Sequence, residues 1–516
     1  MPRSGFERVR TGCRSCKIRR VKCDEGQPEC RRCQTIGRTC PGYQTPRPGS
    51  FSWRDLLLRV RPSIMPDASS SVDEIQSLDF FRCIVAPTLV GAVGSDFWTR
   101  SVMQQAMQQA PARNAVLAIS FLYRRLLLLN DTDDDSSSSS SSSIVTPILY
   151  YNKALKQVAT TMGALDTDAV LLLAILFTCV EFLRGNVPAA VEHCRHGIKI
   201  LGGAEKASAD TSAIFRHLSI FPLFFGATLS DFPHPEQQQQ QQKQYTDENF
   251  CDVSKAAEML DDLMSRCVRL VRACDAFRFA TSTQEPSPSP SLLLTQQGLR
   301  QEIDEWFSRF SAGQHRLKER TLCRTLEMRW LVCKIWVDIA LCRDETLCDE
   351  YRTFFERIIQ LAREEAVSRN GTDKAAGLFQ FDMGLSPLLY FVVIKCRFLR
   401  LRLDALELLR ILAFSRESMW DPSILYAIGK RTIEREHGFD FDTAQTLEGG
   451  LQSPNSLPSK AERIRDSLLQ EDTEVHVDSY GNRVVSQRIY FFIRHSDDME
   501  VGVVPDWISF PPKRVV

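Results

Sequence analysis

Residues 13–23 read CRSCKIRRVKC, and residues 30–40 read CRRCQTIGRTC. Each stretch opens with two cysteines three apart and closes with a third seven positions on. Cys13, Cys16, Cys23, Cys30, Cys33 and Cys40 are thus two copies of one CxxCx6C half-motif. Disulfide pairing is one reading of such a run. The opening Met1-Pro2-Arg3-Ser4-Gly5-Phe6-Glu7-Arg8 carries no apolar core, so a secretory leader is not expected and reducing surroundings are. There, a CxxC pair opening each half points to a metal.

The stoichiometry follows from coordination. A structural zinc ion takes four ligands, so two ions need about eight positions where six sulfurs stand. Two thiolates must bridge, and the internal pseudo-symmetry nominates the first cysteine of each half, Cys13 and Cys30. A single zinc would strand two thiols. No histidine lies among residues 1–50, which removes a Cys2His2 site.

Charge sharpens the reading. The 516-residue chain is neutral overall, yet residues 1–50 hold 12 Lys/Arg against four acids, +8, and the rest sums to −8. A basic head of this kind meets a polyanion. Six thiolates with two Zn2+ contribute −2, leaving about +6 on the loaded head. Between Cys16 and Cys23 lie Lys17, Ile18, Arg19, Arg20, Val21 and Lys22, four cations around two apolar residues. The second half spreads only Arg31, Arg32 and Arg38.

These residues resemble the fungal Zn(2)-Cys(6) binuclear cluster family of transcription regulators at all six cysteines. The resemblance implies that the first and fourth cysteines bridge the zinc pair, in agreement with the symmetry argument. It also implies that Arg20 reads a guanine-rich, CGG-like half-site, with Lys17, Arg19 and Lys22 as neighbouring base or phosphate contacts. The family often carries lysine where this chain has Arg19 and Arg20; arginine can fork onto guanine, so the preferred sequence can differ. Expected partners are double-stranded DNA, a homo- or heterodimer partner and the transcription machinery, in the nucleus, at RNA polymerase II-dependent genes. The alternative is a zinc-stabilised protein-interaction or adaptor module without sequence-specific DNA binding.

The expected organisation is a Zn2Cys6 domain over 1–45, a proline-rich linker over 46–72, an α-helical regulatory domain over 73–470 and a C-terminal segment over 471–516. Trp53, Leu56, Leu57 and Val60 make a single helical stripe in the linker, and no heptad repeat follows the cluster. In the body, Asp166 or Thr167 caps a helix to about Arg184, Gly185-Asn186 turns the chain, and Pro188 opens a second helix ending at Gly202-Gly203. Further helices are expected near 255–278, 296–310, 317–343, 348–368, 385–413 and 422–436. Polar insertions interrupt them near 131–143, 236–247 and 281–295. Val475–Tyr490 alternates around Tyr480-Gly481-Asn482 as a β-hairpin would. The stretches FFRCIVAPTLVG (80–91) and AAVEHCRHGIKIL (189–201) resemble the fungal-specific transcription factor helical domain. The fold class expected is a small binuclear zinc-cluster domain plus a mainly all-α regulatory domain.

No catalytic constellation stands out: there is no GxGxxG after a strand, no GxxxxGK[ST], no GxSxG and no HExxH. An enzyme is not expected. His193 and His196 read as a polar helix face, Glu364-Glu365 as solvated acids, and Cys179, Cys267, Cys323, Cys333 and Cys396 as small buried thiols. The most apolar run, Ala169–Val180, is too short to span a bilayer, so no membrane partner is expected.

Overall fold

The structure is a computed structural model. It describes residues 13, 15, 16, 19, 21, 23, 24, 26, 29–37, 39 and 40 of the head. It also describes 71–510, apart from 90–95, 131–144, 162–164, 205–206, 226, 233–249, 251, 280–287, 314–318, 370–377, 442–456, 478–482 and 495–500. The linker stripe Trp53–Val60 and the first two polar insertions lie outside the described residues, as does the centre of the expected hairpin. The chain divides into two units, Met1–Val60 and Arg61–Val516.

The larger unit is mainly helical, as its 3.6-residue periodicity demands. Ser71 opens it with a reciprocal capping box: its hydroxyl accepts from Glu74 N, and the Glu74 carboxylate accepts from Ser71 N. The helical hairpin follows the sequence closely. Asp166 Oδ1 accepts from Ala169 N at 2.7 Å, and the helix Thr167–Arg184 is buried on nearly every face from Leu171 to Leu183. It stops at Gly185, whose φ of +72° is left-handed, a conformation that suits a residue without a Cβ. Asn186 then caps Val187–Gly203, with Pro188 in the first turn. Gly197 lets the Phe215 ring of the helix Ala209–Leu218 lie against its backbone, where a Cβ would clash.

Three helices, Val253–Ala273, Pro290–Gly313 and Arg320–Ile339, pack through indoles. Trp306 Nε1 donates to Ala256 O at 3.0 Å, and Trp330 Nε1 donates to Ile303 O at 3.0 Å while its ring stacks on Phe307. The middle helix begins at Pro290, inside the insertion expected over 281–295. Ser289 caps it by accepting from Leu292 N, so the Ser-Pro run that resembles low complexity is, from 289 on, a helix start.

The helix expected over 385–413 is two helices, Ser386–Lys395 and Leu399–Leu412. The break falls at Cys396-Arg397-Phe398, where the Arg397 guanidinium turns inward and is fully buried. Its Nε lies 3.4 Å from Glu436, whose other oxygen takes Arg402 Nη1 at 2.5 Å. Removing one partner of such a pair would leave an uncompensated buried charge. Two short parallel strands, β1 (Phe379–Gln380) and β2 (Arg416–Glu417), lie beside this region.

The C-terminal part is larger than a hairpin. β3 (Ile464–Val477), β4 (Arg483–Ile493) and β5 (Gly502–Phe510) form an antiparallel sheet in that order, and β3 runs across the boundary expected at 470/471. Alternation is legible only where β3 and β4 adjoin; the register shift between Leu469 and Thr473 breaks it upstream. One face of the sheet, with Ile464, Ile489, Phe491, Ile493, Ile508 and Phe510, packs on Ala427 and Ile428 of the helix Pro422–His437. Asp506 on β5 binds Arg431 and Arg435 of that helix at 3.0 and 2.6 Å. Among the described residues, no helix is long and apolar enough to cross a membrane.

Candidate metal centre and nucleic-acid face

The two half-motifs fold alike. In each, the second cysteine's backbone N–H points at the first cysteine's sulfur: Cys16 N to Cys13 Sγ at 3.4 Å, and Cys33 N to Cys30 Sγ at 3.4 Å. Cys30 thereby caps the short helix Arg31–Gln34, and Ser15–Cys16 begin the corresponding turn of the first half. These turns aim both thiols of each CxxC inward, and Val21 packs against the sulfurs.

The halves converge on one cluster. Cys13 Sγ lies 3.7 Å from Cys30 Sγ and 3.7 Å from Cys33 Sγ, and Cys16 Sγ lies 3.8 Å from Cys30 Sγ. Two four-sulfur groups result, Cys13–Cys16–Cys23–Cys30 and Cys13–Cys30–Cys33–Cys40, each with all sulfurs within 4.8 Å of one another. Cys13 and Cys30 belong to both. A tetrahedron with Zn–S bonds of about 2.3 Å has an edge of about 3.8 Å, so the observed spacings fit two zinc ions with two shared thiolates.

Burial and crowding favour the neutral thiols. Burial first, then the Cys13 thiol beside it, pushes the Cys16 thiol up; burial does the same at Cys30, against the Cys33 N–H, which lowers it. Crowded buried sulfurs keep their protons until a divalent ion displaces them.

One residue of the head was not anticipated. Asp24 Oδ2 accepts from Arg31 N at 3.0 Å and Oδ1 from Arg32 N at 3.3 Å, so a carboxylate from the end of the first half closes the helix that opens the second. The Arg31 N–H, as the main cause, holds the Asp24 carboxyl below its usual range. Asp24 stands seven positions ahead of Arg31, so its place along the chain carried no helix-start signal.

Of the four cations expected to meet DNA, Arg19 is described and exposed, with its backbone N–H on Ser15 O. Lys17, Arg20 and Lys22 lie outside the described residues. Arg31 and Arg32 are exposed on the second half.

Outside the head, His193 and His196 do not converge on a metal set among the described residues. His193 is not on a solvated face: its Nε2 shares a 2.8 Å hydrogen bond with Tyr151 Oη, and burial, then His196, pushes it down to about 4. Glu365 is also not solvated; it is buried between Arg324 and Arg369. Cys179, Cys267, Cys323, Cys333 and Cys396 are buried thiols.

Comparison with known proteins places this geometry. Residues 11–50 match the fungal Zn(2)-Cys(6) binuclear cluster domain. The chain is 29% identical over 227 residues to the aspercryptin biosynthesis cluster-specific transcription regulator atnN of Emericella nidulans, covering 39% of this chain and 36% of that protein. It is 28% identical over 204 residues to the transcription regulator lscL of Purpureocillium lilacinum, covering 36% and 47%. It is 34% identical over 130 residues to the Zn(2)-C6 fungal-type transcription factor afumD of Aspergillus fumigatus, covering 24% and 34%. The matched part of the chain thus spans less than half the length of these relatives. No solved structure matches the chain.

Proposed function

Because residues 11–50 are a fungal Zn(2)-Cys(6) binuclear cluster domain, a type that binds two zinc ions, and the wider chain is similar to fungal transcription regulators, we propose that this protein is a sequence-specific DNA-binding transcription regulator. Cys13, Cys16, Cys23 and Cys30 hold one ion and Cys13, Cys30, Cys33 and Cys40 the other. The metals fold the head and fix the turn after Cys16. Lys17, Arg19, Arg20 and Lys22 leave that turn and meet a duplex. Arg20 reads guanine of a CGG-like half-site, and Lys17, Arg19 and Lys22 contact neighbouring bases or phosphates. The protein acts in the nucleus on RNA polymerase II-dependent genes, and the helical body is its regulatory part. The relatives are regulators rather than enzymes, and this chain is read in the same way.

The observation that carries the proposal is the pair of four-sulfur groups sharing Cys13 and Cys30, with a run of cations between two of their ligands. The test is selection of bound sites from random duplexes with the zinc-loaded full chain, followed by a salt titration. A CGG-like motif should be enriched, and log affinity should fall linearly with log salt at about −0.9 per phosphate contacted. Chelation should abolish binding. Equal binding to all duplexes, or binding that survives zinc removal, overturns the proposal.

A further inference from the structure

The sheet β3-β4-β5 turns one face to the helix Pro422–His437 and a second face away from it. Register and the alternation of strand side chains settle what that second face carries. Tyr490 stands between Leu468 and Pro505, Arg488 stands beside Trp507, and Phe492 stands between Asp466 and Val503. Leu468 is 53% exposed, Val503 54% and Trp507 36%. Phe279 packs on the Phe492 end, ring centroids 6.1 Å apart, and leaves Leu468, Pro505 and Trp507 exposed.

Charge on this face is of both signs and unpaired. The Arg488 guanidinium lies 5.9 Å from the Tyr490 ring centroid and 5.6 Å from that of Trp507, and among the described residues it forms no ion pair. On β3, Asp466 and Glu474 fall on the same face by register; both are exposed, and neither forms an ion pair among the described residues. A surface for nucleic acid or an acidic peptide is not expected to keep uncompensated acids beside its arginine. A contact between two identical faces must carry both members of any charge pair, as this face does.

Strand addition at the sheet's edges is the poorer route. The edge strand β5 has Pro505 in its middle, and the other edge, β3, is broken by the register shift between Leu469 and Thr473; both features blunt an edge against pairing. Nine residues at about 3.4 Å each and three strands about 4.8 Å apart make a face of about 30 by 14 Å, roughly 800–900 Å² in plan for two copies. Side chains standing out of that plane add to it, which reaches the low end of specific interfaces and sets a weak, concentration-dependent association.

We propose that this sheet face, centred on Arg488, Tyr490 and Trp507, is a two-fold contact between two copies of the chain. Arginine, tyrosine and tryptophan are the side chains that carry most of the energy of such contacts, and the β3 acids of each copy are available to the other's Arg488. No heptad repeat follows the cysteine cluster in the sequence, so pairing of copies falls to the body. The proposal does not rest on the DNA-binding reading, because every residue in it belongs to the body.

The test is sedimentation equilibrium of the zinc-loaded full chain without DNA, over a concentration series reaching about 100 μM. A monomer–dimer equilibrium with a micromolar midpoint is expected. Trp507→Ala and Arg488→Glu should each weaken it by at least about tenfold. Leu294→Ala, at another large apolar side chain 70% exposed on the helix Pro290–Gly313, should leave it unchanged. Urea unfolding of each variant checks that the body still folds; should Trp507→Ala fail to fold, Arg488→Glu decides. A chain still monomeric at about 100 μM, dimerisation unaltered in either folded variant, an equal loss in Leu294→Ala, or growth beyond a dimer overturns the proposal.

Discussion

Removing a shared sulfur should damage both metal sites, whereas removing an unshared one should damage one. Cys13 belongs to both four-sulfur groups and Cys16 to the first alone. Structural zinc binding is worth roughly 10–16 kcal/mol, so one ligand in four carries roughly 2.5–4 kcal/mol if the bonds share equally. At about 1.4 kcal/mol per tenfold, that is roughly two to three orders of magnitude in affinity for each site that loses a sulfur. Cys13→Ala and Cys30→Ala should therefore weaken both zinc ions, and Cys16→Ala or Cys40→Ala only one. Native mass spectrometry of the full chain, titrated with a competing chelator, reads this directly. Wild type should carry two zinc ions, Cys16→Ala should pass through a one-zinc plateau, and Cys13→Ala should lose both together. A Cys13→Ala protein that keeps one ion at wild-type affinity, beside a Cys16→Ala protein that loses both, would refute the shared-ligand reasoning.

In DNA binding, Arg20→Ala should cost about 1–3 kcal/mol on the preferred duplex and flatten the preference for guanine, while Lys22→Ala should weaken all duplexes alike; base-substituted duplexes in a binding titration separate the two. In the body, Glu436→Gln leaves the fully buried Arg397 and Arg402 without their common carboxylate and should cost about 3–5 kcal/mol in urea unfolding. Glu356→Gln, from a pair about half exposed on both sides, should cost less than about 1 kcal/mol, and equal losses would contradict the burial argument. His193 and His437 are both pushed from 6.5 to about 4, His437 by burial and then by Arg402. The unfolded chain binds more protons in that interval, so their contribution is present above about pH 6.5 and is lost as pH falls toward 4. His217 has the opposite sign: burial alone would lower it, but Asp382 and Asp261 raise it, so its contribution is present below 6.5 and fades as pH rises through the raised value. A His193→Gln, His437→Gln double variant should accordingly gain stability at about pH 5 relative to about pH 7.5, compared with wild type, by urea midpoint.

What could be read in the chain follows from where the information is local. The cysteine spacing implied the convergence of the sulfurs because each CxxC occupies a single turn, and the place of Cys13 and Cys30 in both four-sulfur groups was nominated by the pseudo-symmetry of the two halves after counting ligands called for two shared sulfurs. The hairpin Thr167–Gly203 was legible because Asp166, Gly185, Asn186 and Pro188 mark its ends within a few residues of each other. The break at Arg397 was not, since it depends on Glu436 and Glu345, some 40 to 50 positions away in sequence. Glu365 and His193 escaped for the same reason: their partners Arg324 and Tyr151 lie on other helices. The third strand was missed because β5 alternates against solvent and carries Pro505 in its middle, which reads as a loop until it is seen paired to Tyr490.

The sheet's last strand bears on how the body is made. Ile508 and Phe510 fill the surface of the helix Pro422–His437, and Asp506 holds that helix by two arginines. Until a ribosome delivers residues 502–510, Ala427 and Ile428 therefore lack the part of their cover that Ile508 and Phe510 provide, although Ile489, Phe491 and Ile493 are already in place.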